Sequence, residues 1–399
     1  MVTDMDMVKK RKKVLLISGS NKPIPAIEGG AIEKLTEQLV EKNLSSDDNI
    51  ELTVLSEGRN YFKKIQPNYY YYKKKYNYPK EIIRKIHNQI FFSKQYTNIK
   101  NNLLQSVKRL VKENHYDEII VLNYGIYCIY IRKFYSGKIS LFLHNDYLNR
   151  KSYKYKEVLN SVDQVISVSE FIEDKVRKIE KKPNIVDLSI VSNGIDLNLF
   201  KPEKDATKLS SLRKQLNLRE SSIILLYSGR IDPTKGVKQL IRAFKRLGYE
   251  NTVLLLVGEV SNKYRKDFYH SIRGMESQIK YVSSVAQDEL VKIYQLADLC
   301  LIPSIVEESF CLVNIEAQAC NLPVIATKSG ALTKKFYGLK EMHIDNNELN
   351  LEANLVKAIQ FFINNRIYLS SINYRENAMN YSVNQMYSQF INCVKGESS

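Results

Sequence analysis

Val253-Leu254-Leu255-Leu256-Val257 is a run of five consecutive apolar residues. It is too short for a buried helix and lacks the alternation of a strand with one wet face. Such a run is a strand covered on both sides, as in parallel sheets sandwiched between helices. Comparable short runs recur at Val14–Ser18, Glu51–Leu55, Glu118–Asn123, Ile139–His144, Gln164–Val168, Ile223–Tyr227, Tyr281-Val282, Leu299–Ile302 and Val324–Ala326. Longer amphipathic stretches lie between them. Ala31–Lys42 carries Ile32, Leu35, Leu39 and Val40 at a helical period, Val237–Leu247 reads as a second helix, and Ser169 is placed to cap a third. The alternation predicts an α/β chain of two doubly wound, Rossmann-like halves.

Length and composition agree. At 399 residues, with 44% apolar and 26% charged side chains, the chain suits two globular domains and excludes wholesale disorder. No apolar run approaches the ~18 residues a membrane-spanning helix needs. After the basic cluster Lys9–Lys13 the apolar stretch is only Val14–Ile17, which suits a first strand better than a secretory signal. The five cysteines are odd in number and show no metal-ligand spacing, so neither a disulfide framework nor a zinc site is expected. Both features point to the cytosol. Of the net charge of +17, residues 1–200 hold +11 and residues 201–399 hold +6.

In open sheets of this kind ligands bind beyond the carboxyl ends of strands, at helix N-termini. Four loops there carry chemistry. In Pro303–Ala317, Glu308 and Glu316 stand eight residues apart across a loop-to-helix junction. A carboxylate at the second position can accept bonds from a vicinal diol, although an isolated pair would more often be two solvated glutamates. In Ser228–Gly236, Arg230 offers a planar fork and Lys235 a point charge, suited to a diphosphate; alone, they could equally be two surface cations at a turn. Gly29-Gly30 opens the helix at Ala31 and lets backbone approach a ligand closely, though such a pair is usually only a turn. His144 ends a strand, where a lone histidine is more often structural than catalytic.

Taken in order, Gly29-Gly30, His144, Asn193-Gly194-Ile195-Asp196, Gly229-Arg230…Lys235-Gly236, Glu308…Glu316 and Ala319–Thr327 resemble the retaining glycosyltransferases of family 4. That family has the GT-B fold, two Rossmann-like domains facing across a cleft with a C-terminal helix crossing back. The resemblance implies a first domain of about residues 1–200 joined by a last helix near 381–399, and a second of about 206–378. It implies a retaining hexosyltransferase in surface polysaccharide assembly. Glu308, Arg230, Lys235 and His144 would act on the reacting centre. Gly29, Gly30, Gly229, Gly258, Ser284, Val285, Ser309, Phe310, Cys311, Leu312 and Glu316 would contact the donor, Glu316 through the ribose. No metal or other cofactor is implied; the donor would be a nucleoside diphosphate sugar, a uridine diphosphate sugar first. The chain departs from the family pattern at Cys311 and Asn321, where glycine is usual, and at Asn145, where aspartate is.

Residues 59–100 hold eleven basic side chains, one acid and eight tyrosines. Basic and tyrosine side chains suit an anionic membrane surface. The segment therefore predicts peripheral attachment to the inner face of the plasma membrane and a lipid-linked saccharide acceptor; its plainer reading is a solvated loop and helix. A sugar-nucleotide epimerase on the same fold is the alternative enzyme. Nucleic-acid binding is not expected, because the basic residues avoid the loop motifs and no RNA-binding signature is present.

Overall fold

The computed structural model describes residues 11–58, 68–73, 100–179, 186–203 and 205–397. The chain divides into two compact units, Met1–Ser192 with Met386–Ser399, and Asn193–Gln385. The division falls ahead of residue 200, the boundary expected from the sequence. Its cause lies in residues 197–200: Arg375 donates to the carbonyl oxygens of Leu197 and Phe200 at 2.8 and 2.6 Å. Phe200 is fully buried with its ring 6.1 Å from Tyr294. These contacts bind the segment into the second unit.

The first unit is built on seven parallel strands: β1 (Lys12–Ser18), β2 (Ile50–Gly58), β3 (Tyr69–Lys73), β4 (Glu118–Leu122), β5 (Lys138–Leu143), β6 (Gln164–Ser167) and β7 (Asp187–Ile190), in the order β3-β2-β1-β4-β5-β6-β7. Val14 to Ile17 are fully buried, as a central strand covered on both faces requires. The Ala31–Leu44 helix follows Gly30, whose φ of 117° only glycine adopts readily. Ser169 caps the Glu170–Arg177 helix by accepting from the Ile172 amide at 3.3 Å, as its position predicts. Glu118 is fully buried and is held by Lys12 at 3.0 Å, Lys138 at 3.4 Å and the Ser140 hydroxyl at 2.6 Å.

The second unit repeats the plan with six parallel strands: β8 (Ile223–Ser228), β9 (Thr252–Val257), β10 (Ile279–Val282), β11 (Leu299–Ile302), β12 (Val324–Thr327) and β13 (His343–Ile344), ordered β10-β9-β8-β11-β12-β13. All of β9 is buried. The Val237–Leu247 helix turns Val237, Leu240, Ile241 and Phe244 into the core and ends at Gly248, whose φ of 65° closes it in the left-handed region.

Strand β3 corrects the reading of Tyr69–Tyr72 as part of a surface patch. These residues form an edge strand beside β2, with Tyr69 and Tyr72 buried at 7% and 2% exposure. Lys100, counted with the same patch, pairs with Glu57 at 2.7 Å. Residues 59–67 and 74–99, which carry the rest of that patch, lie outside the described residues.

Candidate active site

The strand order of the second sheet reverses between β8 and β11. That reversal opens a crevice at the carboxyl ends of these strands, where open α/β sheets take their ligands. The loops after β8 and β11 close on it and are bonded to each other: the Ile305 and Val306 amides both donate to the Thr234 carbonyl, at 3.0 and 3.2 Å. Gly236 (φ 70°) permits this approach, since a Cβ there would sit 1.9 Å from the Pro303 carbonyl oxygen.

Lys235 and Glu308, one from each loop, meet with Nζ 2.6 Å from Oε1. The Ser304 hydroxyl donates to the same carboxylate oxygen. The Glu308 backbone is fixed by the Ala331 amide, which donates to its carbonyl at 2.7 Å. Gly330 passes so close that a Cβ would lie 2.3 Å from that oxygen. Both side chains keep some exposure, 22% for Lys235 and 15% for Glu308, so the pair is held in place and remains open to a ligand. Arg230 is exposed at the start of its loop, with its carbonyl fixed at 2.7 Å by the buried Tyr227 hydroxyl. Asp232 shapes the turn between the two cations by accepting from the Thr234 amide and hydroxyl at 3.0 and 2.6 Å. Those bonds hold its carboxyl below the usual range.

The Leu312–Ala319 helix leaves the second loop through Cys311, whose φ of 68° is left-handed. Phe310 is buried beside it, its ring covered by the Lys335 ammonium at 4.1 Å and edged by Tyr381 at 5.8 Å. Glu316 lies on the buried face of this helix at 8% exposure and accepts from the Tyr294 hydroxyl at 3.0 Å. Burial pushes its carboxyl up to about 7, against the lowering effect of the Tyr294 bond. The same helix carries fully buried Asn314 and Gln318, joined at 2.9 Å; Gln318 in turn accepts from Asn377 at 2.6 Å.

At the neighbouring strand ends, Gly258 (φ 140°) lies against Gly229, where a Cβ would come within 1.9 Å of the Gly229 carbonyl. The Gly229 and Gly258 amides donate to Val257 and Val282, each at 3.0 Å. Ser284 is exposed and Val285 half-buried just beyond β10. The second unit thus brings together Gly229, Arg230, Lys235, Gly258, Ser284, Val285, Glu308, Ser309, Phe310, Cys311, Leu312 and Glu316 on the loops and helix that follow β8 to β11. Gly29, Gly30 and His144 belong to the first unit. Gly29 and Gly30 form the turn before the Ala31–Leu44 helix, with φ values of 65° and 117°. His144 is buried at the end of β5, its amide donating to the Asn123 side chain at 2.7 Å and its ring 4.3 Å from Phe142. Sequence reasoning missed Tyr294, because its relation to Glu316 is made only by packing between two helices.

Residues 210–381 match the family model described as glycosyl transferases group 1. Over 156 residues the chain is 35% identical to lipopolysaccharide 1,2-N-acetylglucosaminetransferase of Salmonella typhimurium, a stretch covering 37% of this chain and 40% of that protein. The chain thus spans about two fifths of that relative's length. Across nearly the whole chain it superposes on two solved structures. One is sucrose-phosphate synthase from Thermosynechococcus elongatus, with TM-score 0.75, 19% identity and coverage of 97% of this chain and 99% of the other. The second is Anabaena Alr3699/HepE in complex with UDP and glucose, with TM-score 0.73, 17% identity and coverage of 97% and 100%. At these identities the likeness is one of fold, and the fold is GT-B.

Proposed function

We propose that this chain is a retaining glycosyltransferase that moves a hexosyl residue from a nucleoside diphosphate sugar, a uridine diphosphate sugar first, to a lipid-linked saccharide in surface glycan assembly. The observation that carries the reading is the meeting of Lys235 and Glu308 at 2.6 Å, at the reversal point of the second sheet. One cation and one carboxylate there suit a ligand with an anionic leaving group on one side and sugar hydroxyls on the other. The family model over residues 210–381 and the lipopolysaccharide enzyme among the relatives support the same class of chemistry.

In the proposed reaction the acceptor hydroxyl attacks the anomeric carbon on the face from which the diphosphate departs. The bond between that carbon and the phosphate oxygen breaks, and the hydroxyl proton passes to a phosphate oxygen. Arg230 and Lys235 neutralise charge that grows on the departing diphosphate, which stabilises the transition state more than the ground state. Glu308 takes the sugar hydroxyls and Glu316 the ribose. The chemistry asks for no metal.

A thermal-shift screen of nucleotide sugars tests the donor class, since a true donor stabilises the folded chain by mass action, about 2.7 kcal/mol at a hundredfold excess over Kd. With the donor found, Glu316→Ala is expected to raise its KM by roughly tenfold or more, the worth of a hydrogen bond to a charged group. Lys235→Ala should act mainly on kcat, lowering it by roughly a hundredfold or more. Wild-type kinetics from either variant would remove that residue's role.

A further inference from the structure

Glu316 has two carboxylate oxygens and a neighbour already bound to one of them. Tyr294, on the Gln287–Leu296 helix, is 1% exposed and donates its hydroxyl to Oε2 at 3.0 Å. A buried tyrosine hydroxyl without a partner is costly, so this bond is held by both ends. The ring is edged by Phe200 at 6.1 Å. Tyr294 therefore ties the helix bearing Glu316 to its own helix, Gln287–Leu296. Among the described residues Oε1 accepts no hydrogen bond.

We propose that Tyr294 is a positioning residue: it holds Oε2 of Glu316 and leaves Oε1 as the single acceptor presented to a ligand hydroxyl. The inference rests on the reading of Glu316 as the ribose carboxylate and adds to it how that carboxylate is oriented and kept ionised. A diol taking both oxygens would have to displace a buried phenol, so the site grips one hydroxyl strongly.

The charge on Glu316 is the consequence that can be measured. The titratable groups facing it are Tyr294, Cys300 on β11 and Cys320 at the end of its own helix. Burial raises all three, so they are neutral at neutral pH; Arg375 acts on Cys320. Burial pushes Glu316 up to about 7 while the Tyr294 bond lowers it. A ligand hydroxyl donating to Oε1 selects the ionised form. Affinity is then full above that value and falls as pH drops through it, because each ligand bound must displace a proton. Removing the phenol withdraws a bond that favours ionisation, so the fall should begin at higher pH.

The test is calorimetric titration of the full chain with UDP, GDP and ADP. The tightest ligand is carried from about pH 5.5 to 9, wide enough to cross both carboxyl states. Wild type should lose affinity by about tenfold per unit well below the midpoint. Tyr294→Phe should move that midpoint up by about one unit while recovering affinity to within about twofold at the alkaline end. Glu316→Gln should bind more weakly and respond to pH only through the ligand's own phosphate, which titrates near ~6. A Tyr294→Phe profile that is merely lowered by one factor at every pH, or is unchanged, overturns the inference. A Glu316→Gln variant with wild-type affinity, or no binding of any of the three nucleotides, overturns the ribose reading instead. Should Tyr294→Phe fail to fold, carboxyl resonances of wild type decide. A Glu316 carboxyl carbon whose titration is followed by the Tyr294 ring resonances supports the inference, and one that titrates while those resonances stay fixed overturns it.

Discussion

Cys311 carries an unusual share of constraint for one side chain. It stands between the buried Phe310 and the first turn of the Leu312–Ala319 helix, with φ 68° and ψ 77°. An L-residue there costs about 1–2 kcal/mol against right-handed backbone, a cost glycine escapes. Glycine returns part of that advantage through its larger entropy loss on folding, about 0.5–1 kcal/mol. The thiol is neutral, raised well above its ordinary value by burial and by the Glu308 carboxylate nearby. Cys311→Gly is therefore expected to change unfolding free energy by less than about 1 kcal/mol, while β-branched Cys311→Val loses about 2 kcal/mol or more. Equilibrium denaturation of the two variants checks this; equal losses would mean the backbone there is not strained. Asn321, the other position where the family pattern has glycine, is also left-handed (φ 60°), a conformation its side chain tolerates.

At the scale of elements, Arg375 joins the end of the Leu312–Ala319 helix to the Leu197–Phe200 segment of the second unit. Its guanidinium donates to the carbonyls of Phe200 at 2.6 Å, Leu197 at 2.8 Å and Ala319, and its amide donates to the Asn321 side chain at 3.2 Å. It thereby covers the C-terminal end of the helix that bears Glu316, where a cation also meets the negative end of the helix dipole. Arg375→Met keeps most of the stem and removes the donors, leaving part-buried carbonyls unpaired at about 1–3 kcal/mol. A loss of about 2–4 kcal/mol in denaturant unfolding is expected, and a loss below about 0.5 kcal/mol would show that water replaces the guanidinium. Sequence reasoning reached the doubly wound halves and the second-unit loops, because Val253–Val257 of β9 and all of β11 are apolar runs and Lys235, Gly236 and Glu308 sit at strand-to-helix junctions. It missed β3, β7 and β13. Tyr69–Lys73 carries no aliphatic residue, β7 is exposed or half-buried throughout, and β13 is two residues long. Tyr294 and Arg375 escaped it for another reason: their partners lie 22 and as many as 178 positions away, and only the fold brings them together.

For the whole molecule, which carries a net charge of +17, the described residues include an exposed basic cluster whose attraction to an anionic surface can be tested. Beyond β5 and His144, Arg150, Lys151, Lys154 and Lys156 are exposed within seven residues, with Tyr147 and Tyr153 exposed at 40% and 41%. The loop is braced from inside: buried Ser152 accepts from the Asn149 amide at 2.8 Å and donates to the Tyr147 carbonyl at 3.1 Å. Asp146, the acid nearest the cluster's start, lies 3.6 Å from Lys175. A braced loop presents its charges at little entropic cost, and each basic side chain near an anionic leaflet gains about 1 kcal/mol, with tyrosine suited to the headgroup layer. If the acceptor is lipid-linked, the chain should float with phosphatidylglycerol vesicles at about 20 mM salt, where screening is weak, and come off at about 300 mM. It should ignore neutral phosphatidylcholine vesicles. Reversing two charges, Lys151→Glu with Lys154→Glu, removes two attractions and adds two repulsions, so binding should weaken by roughly tenfold or more while the unfolding midpoint stays put. Undiminished flotation of that double variant would take this loop out of the contact, and failure of wild type to float at low salt would end the membrane reading altogether.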